Sequence, residues 1–243
     1  MIELTTHGRV AVLTLNRTEK HNALNIELCH RLREAVVQAA GSRAVVLTGA
    51  GRSFCSGADL DEVYTTDFRE ALYGMLHAVE DAPMPVVAAV NGPAIGAGAQ
   101  LAIAADFRVV AARARYAVPT ARLGLAVDPW TIRRLALVAG TPTARRLLLA
   151  CTEVCADEAL ACGLADRAGD PVDALAWAQE LSELAPLTQS YSKRVLNEAF
   201  EQPLDDALAK SLDEAFEGCW ASEDFVEGRR ARSERRPPDF RGR

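Results

Sequence analysis

Lysine is nearly absent from this chain. Only Lys20, Lys193 and Lys210 contribute to the 27 basic residues in 243, and arginine supplies the rest. The basic side is outnumbered by 33 acidic residues, for a formal net charge of −6. That balance excludes a general attraction to nucleic acid or to an anionic membrane surface. Long apolar runs are also missing: none reaches the roughly 18 uncharged residues that a spanning helix needs. The opening MIELTTHGRV has no charged start followed by an apolar core, so no secretory signal is expected and a cytoplasmic location is. None of the six cysteines forms a CxxC pair, which reads as reduced thiols. Cys151, Cys155 and Cys162 have no histidine near them in sequence. Small buried side chains are the reading for them, and no metal is expected.

What is present suits a soluble globular protein: 49% hydrophobic and 25% charged residues, enough for one mid-sized core or a core with a helical appendage. Short apolar runs at Val10–Leu15, Ala44–Gly49, Pro85–Val90 and Asp106–Val110 read as buried strands. Helical spacing at Asn25–Gly41 and about Phe68–Glu80 separates them, giving α/β alternation with mostly parallel pairing. Beyond about Thr141 strand signals stop. Arg145–Ala150, Ala156–Ala161, Val172–Ala185, Gln189–Phe200 and Leu204–Trp220 read as helices. The expected layout is an α/β core of residues 1–185 followed by a helical region of 186–243. The arginines from Arg229 onward read as cations at a helix end, or as contacts to phosphates or to a neighbouring subunit.

Two loops carry the chemistry. In the first, a strand ends at Gly49-Ala50-Gly51 and is followed by Ser56-Gly57-Ala58-Asp59-Leu60. In the second, Asn91-Gly92-Pro93 leads to Gly96-Ala97-Gly98 and a small-residue helix. Small residues at a strand end let a ligand reach backbone N–H groups, and a helix N-terminus favours a developing negative charge. The glycine register does not fit GxGxxG, so a nicotinamide cofactor is not expected.

Taken together, FCSGADL, NGPAIGAGAQLA followed by AADFRVV, the early RTEKHNALN and the terminal RRPPDF resemble, in order, the crotonase superfamily of enoyl-CoA hydratases and isomerases. The resemblance spans essentially the whole chain. It implies the ClpP/crotonase-like spiral of ββα units with a helical C-terminal trimerisation region. It also implies a homotrimer or a dimer of trimers, and a coenzyme A thioester as ligand with no other cofactor. By motif position the backbone N–H groups of Ala58 and Ala97 form the oxyanion hole. Ala97 stands where glycine is usual, which is harmless only if its φ is negative. Gly57, Ile95 and Gly96 flank these donors at the substrate. The nucleotide is expected along His21, Ala23 and Leu24, with adenine against the backbone from Ala58 to Leu60. Asp59 is expected to order this loop.

The sequence departs from the hydratase pattern at both acid–base positions. Gln100 and Thr120 stand where the family's hydratases carry glutamates, and neither side chain exchanges a proton near neutral pH. Losing both groups would cost roughly 10⁴ or more in rate. Asp128 matches the acid–base aspartate of the dienoyl-CoA isomerase branch. It is followed by Pro129 and TIRRLALV, so a helix-capping role competes with catalysis. Trp130 is expected to wall the acyl channel or to anchor the core; Tyr116, Arg122 and His77 are lesser polar candidates. NGPAIGAGAQLA, PTARLGLAVDPWTIRRL and AKSLDEAF…RRPPDF look like an actinobacterial branch that binds long-chain acyl-CoA without turnover. That branch is associated with fatty-acid supply to mycolic-acid synthesis. The resemblance implies a carrier that meets fatty-acid synthesis enzymes, with isomerisation through Asp128 or weak hydration as alternatives.

Overall fold

The computed structural model describes residues 1–200 and 204–243. Its main sheet holds β1 (Ile2–His7), β2 (Val10–Leu15), β3 (Ala44–Gly49), β4 (Val86–Val90), β6 (Phe107–Val110) and β9 (Arg167–Ala168), in the order β1-β2-β3-β4-β6-β9. Within this sheet, among the described residues, only the β1–β2 pair is antiparallel, a hairpin running from Ile2 opposite Leu15 to His7 opposite Val10. The remaining pairs are parallel. Burial on both faces explains why β3 and β4 read as unbroken apolar runs: every residue of each is buried. A second, three-stranded sheet orders β5 (Pro93–Ile95), β7 (Arg115–Ala117) and β8 (Val154–Cys155).

Helices α1 (Ile26–Gln38), α2 (Thr66–Glu80) and α3 (Ala97–Ala104) connect successive strands of the main sheet. Their apolar residues share one core with Leu13, Leu15 and Leu47. Helix α6 (Pro171–Ser182) covers the other face, packing Ala174 and Ala178 on Val10, Val46 and Val87. The start of α1 is pinned from a distance. Asn25 accepts from the Leu28 N–H, and the Glu62 carboxylate accepts from the Ile26 N–H at 2.8 Å.

Helices α4 (Pro129–Leu148) and α5 (Ala156–Cys162) follow β7, and α7 (Pro186–Phe200), α8 (Asp206–Trp220) and α9 (Glu223–Ser233) complete the chain. Helix α7 is fastened to the core by Lys193, whose ammonium lies 2.8 Å from the Asp106 carboxylate and donates to the Met84 carbonyl. Burial pushes the Asp106 carboxyl upward, against the nearby Lys193 charge.

The sequence reading differs from the structure in several places. Strand β1 went unread because it is an exposed edge, with only Ile2 half-buried. Strands do continue past Thr141, but β8 and β9 are two residues each, too short for a pattern. The helix expected over Arg145–Ala150 is the end of α4, which bends at Gly140, where φ is +74°. Helix α9 was not anticipated as a separate element. The helix expected over Leu204–Trp220 is α8, Asp206–Trp220, and residues 201–203 before it lie outside the described residues.

Candidate functional site

The two small-residue loops meet. Cys55 N–H donates to Pro93 C=O at 3.1 Å, and Ile95 N–H donates to Cys55 C=O at 3.0 Å. These two bonds lay segment 53–58 alongside β5. Gly57 has φ +106°, and a Cβ there would sit 2.8 Å from the Ile95 carbonyl oxygen and 3.9 Å from the Ala97 nitrogen. Only a residue without a side chain permits this approach. On the other loop Gly96 takes φ +53° and turns the chain into α3. Gly96 therefore carries the unusual backbone angle, and Ala97 is not among the residues with positive φ. The alanine costs nothing at that position.

Ala58 and Ala97 line one cavity of about 190 Å³, together with Gly57, Leu60, Ile95, Gly96, Gln100 and Thr120. Among the described residues neither the Ala58 nor the Ala97 amide donates to another backbone or side-chain group, although their neighbours do. Leu24 N–H donates to Gly57 C=O, Asp59 N–H to Leu24 C=O, and Gly96 N–H to Ala117 C=O. Two N–H groups without a protein acceptor thus belong to residues that line the same cavity, one of them at the start of a buried eight-residue helix. Such a pair can hold an oxygen that acquires negative charge.

Beside these donors in the lining stand Gln100 and Thr120, polar but neutral. Gln100 is buried at the base of α3, and its Nε2 donates to the Thr131 hydroxyl at 2.7 Å and reaches an Asp128 carboxylate oxygen at 3.5 Å. The Thr131 hydroxyl in turn donates to Asp128. Asp128 occupies the N-cap position of α4 with Pro129 following, yet its side chain makes no capping bond to a helix N–H. Its carboxylate lies behind Gln100, outside the cavity lining. Burial raises the Asp128 carboxyl above its ordinary value, against the hydrogen bonds from Thr131 and the charge of His77. Thr120 sits in a single turn of 3-10 helix, where its carbonyl accepts from Leu123 and Leu125.

The remaining sequence-selected residues fall elsewhere. Leu24 was expected along the nucleotide path, but it is fully buried and both its backbone groups are committed to the 57–59 loop, so it positions that loop. Ala23 is buried too, with its carbonyl accepting from Arg17, whereas His21 is exposed with φ +52°. Asp59 is held by the Arg17 guanidinium at 2.7 Å. Burial pushes its carboxyl up, but Arg17 and the Asp61 amide outweigh that and leave it below the ordinary value. Trp130 does not wall the cavity; its indole N–H turns to the buried Glu80, which also pairs with Arg134. His77 packs edge-on to Trp130, and its hydrogen bond to Glu80 raises its pKa. Tyr116 and Arg122 also lie outside the lining.

Sequence reasoning missed Tyr73, Arg69, Trp220 and Arg232, all of which line the cavity. Tyr73 comes from α2, and its hydroxyl is kept neutral by burial and by the neighbouring charge of Asp128. Trp220 ends α8, and the Arg69 guanidinium lies 4.9 Å from its ring centre while bonding Glu217 at 2.9 Å. No motif marks these residues, since each reaches the cavity only through helix packing. Among the described residues no group of three or more His, Cys, Asp or Glu side chains is placed to hold a metal ion. No helix among them is long and apolar enough to cross a membrane.

Two facing loops that offer free amides inside a spiral of parallel strands define a class, and the sequence places the chain in it. The enoyl-CoA hydratase/isomerase family profile matches residues 5–243, and the chain belongs to that family. It is similar to the probable enoyl-CoA hydratase echA6 of Mycobacterium tuberculosis, 44% identical with both chains covered completely. It is also similar to the short-chain-enoyl-CoA hydratase of Clostridium acetobutylicum, 32% identical over 96% of this chain and 94% of that one. Among solved structures, methylmalonyl-CoA decarboxylase in complex with 2-nitronate-propionyl-CoA shares the crotonase fold at a TM-score of 0.92. It is 23% identical and covers 100% of this chain and 98% of its own. An enoyl-CoA hydratase/isomerase from Pseudoalteromonas atlantica has a TM-score of 0.87 at 32% identity, covering 99% of each chain.

Proposed function

We propose that the protein binds acyl-CoA, holds the thioester oxygen between the Ala58 and Ala97 amides, and hydrates enoyl thioesters poorly or not at all. The observation that carries this reading is one cavity in which both free amides are retained while Gln100 and Thr120 stand at the hydratase positions. Two hydrogen-bond donors stabilise an enolate-like oxygen, but neither neutral side chain can activate water or protonate a carbon. Gln100 is further immobilised by its bond to Thr131. Coenzyme A is the only non-protein group the reading needs. The nucleotide would pass the exposed His21 and the backbone of Ala58–Leu60. A carrier or handover role toward fatty-acid synthesis enzymes in the cytoplasm, as in the long-chain acyl-CoA-binding branch, fits such a site.

Self-association as a trimer or a pair of trimers belongs to the same reading. Leu187, Tyr191 and Val195 lie four residues apart on α7 and are 85%, 69% and 42% exposed, an apolar stripe that a copy of the chain would cover. The residues from 186 onward would then form the oligomerisation region.

The test is to measure binding and turnover of saturated, 2-enoyl and dienoyl thioesters on one preparation. Tight binding of the saturated thioester without turnover of the others is the expected result. A second reading, isomerisation, draws on Asp128, whose raised pKa and place behind Gln100 and Tyr73 suit a single proton shuttle. Isomerase activity abolished by Asp128→Asn would establish it. Robust hydration untouched by that substitution would overturn both readings and point to an unnoticed base.

A further inference from the structure

The polar groups behind the cavity form a one-way chain of hydrogen bonds. Ionised, the Asp128 carboxylate can only accept, and the Thr131 hydroxyl has one proton to give. That proton goes to Asp128. Thr131 is left with lone pairs alone, so the group that meets it across 2.7 Å must be a donor, the Gln100 Nε2. The same nitrogen lies 3.5 Å from the carboxylate, which favours its protons a second time. Turning the amide over would set Oε1 against a lone pair of Thr131 and a negative charge. Both Gln100 and Thr131 are buried, so no water would make good the lost bond cheaply.

Asp128 is steadied from α2. The Tyr73 hydroxyl bonds its backbone, and the charge of His77 favours its ionised form. The far end of the Gln100 amide is unspent. Gln100 lines the cavity, and among the described residues its Oε1 accepts from no protein donor and is not sealed off. That oxygen is therefore the end left for a ligand.

We infer that Thr131 is a positioning residue: anchored by Asp128, it fixes the Gln100 amide with its oxygen toward the ligand. The inference rests on the acyl-CoA reading and deepens it. The acyl group meets two donors on the loops, the Ala58 and Ala97 amides, and one fixed acceptor on α3. Asp128 and Thr131 act on the ligand only through Gln100, since neither lines the cavity.

The experiment follows the Gln100 side-chain amide by NMR near neutral pH in isotope-labelled protein, with and without decanoyl-CoA. Its signals are identified by their loss in Gln100→Leu. In the free native protein one Nε2 proton should stand downfield of the other glutamine amides. The shift should persist in Thr131→Ser, which keeps the hydroxyl, and disappear in Thr131→Val. Decanoyl-CoA should move the Gln100 Cδ signal and leave the downfield proton in place. Its affinity, measured by calorimetry, should fall about fivefold in Thr131→Val and stay near native in Thr131→Ser.

An ordinary Nε2 pair in the native protein overturns the inference, and that spectrum needs no variant to fold. So does a downfield proton that survives Thr131→Val, or an affinity that this substitution leaves unchanged. A ligand that shifts the Nε2 protons and not Cδ overturns it as well, because the nitrogen would then face the cavity. If decanoyl-CoA does not bind at all, the acyl-CoA reading falls and takes this inference with it. The spectrum of the free protein then shows whether the anchoring of the amide failed too.

Discussion

The two sides of the cavity are built from different materials. One side is backbone: the amides of Ala58 and Ala97, placed by Gly57 and Gly96 and by the ladder between Cys55 and β5. The other is side chain: Gln100, Thr120 and Tyr73, backed by Asp128 and Thr131. A backbone donor depends on chain geometry, which the close packing of the loops fixes, and it tolerates almost any small residue. A side-chain acid or base vanishes with one substitution and leaves the fold untouched. On the proposed reading the first kind of group is present and the second is changed, so thioester recognition and proton transfer can be tested separately.

The most forceful way to break this comparison is to restore the side-chain half. Gln100→Glu combined with Thr120→Glu should raise 2-enoyl-CoA hydration by about 10²–10⁴ over the native protein. The carboxylate at position 100 would lie beside Asp128, since Gln100 Nε2 is 3.5 Å from it, and two such groups share a proton readily. A spectrophotometric hydratase assay decides this, and no gain at all would mean that the amides and these positions do not serve one substrate.

Damaging the backbone half should act on binding. Gly57→Ala forces an L residue to φ +106° and drives its Cβ to 2.8 Å from the Ile95 carbonyl oxygen. Acyl-CoA affinity should fall about tenfold or more, with roughly 1–3 kcal/mol lost from unfolding stability. Retained affinity in calorimetry would separate the ligand from this loop.

The smallest effect sharpens the role of Asp128. Burial holds its folded pKa above the unfolded value, so the folded protein keeps that proton longer. Its contribution to stability is fully present below the unfolded carboxyl pKa of about 3.9 and is lost as pH rises through the raised folded value. Urea midpoints of the native protein should therefore fall relative to those of Asp128→Asn across this window. Parallel curves would show that the carboxylate carries no burial cost.

Much of this arrangement was legible in the sequence. The bounds of β2 and β3 follow from apolar β-branched runs, and both glycine-rich loops stand out by composition. The meeting of those loops was available only through family resemblance, because nothing local encodes a contact between Gly57 and Ile95. Asp128 shows the limit of a local rule. Asp-Pro before a helix predicted a cap, and the position is the cap, but the carboxylate prefers the Thr131 hydroxyl to a helix N–H. Tyr73 and Trp220 were invisible for a different reason. Each sits in an ordinary amphipathic helix, and only the packing of α2 against the end of α8 turns them toward the cavity.

The arginines from Arg229 onward read in the sequence as cations at a helix end, or as contacts to phosphates or to a neighbouring subunit. In the structure most of that charge is already spent. Glu227 is buried and takes both Arg230 and Arg236, Arg241 pairs with Asp239, and Arg243 pairs with Glu223. Arg229 lies over the Tyr64 ring at 4.9 Å, and the amides of Arg241 and Gly242 return to the Asp224 carboxylate at the start of α9. The terminus therefore behaves as a clasp that closes on its own helix. Heparin or another polyanion would find little free positive charge to hold, and the protein should elute from such a matrix as the acidic molecule its net charge describes.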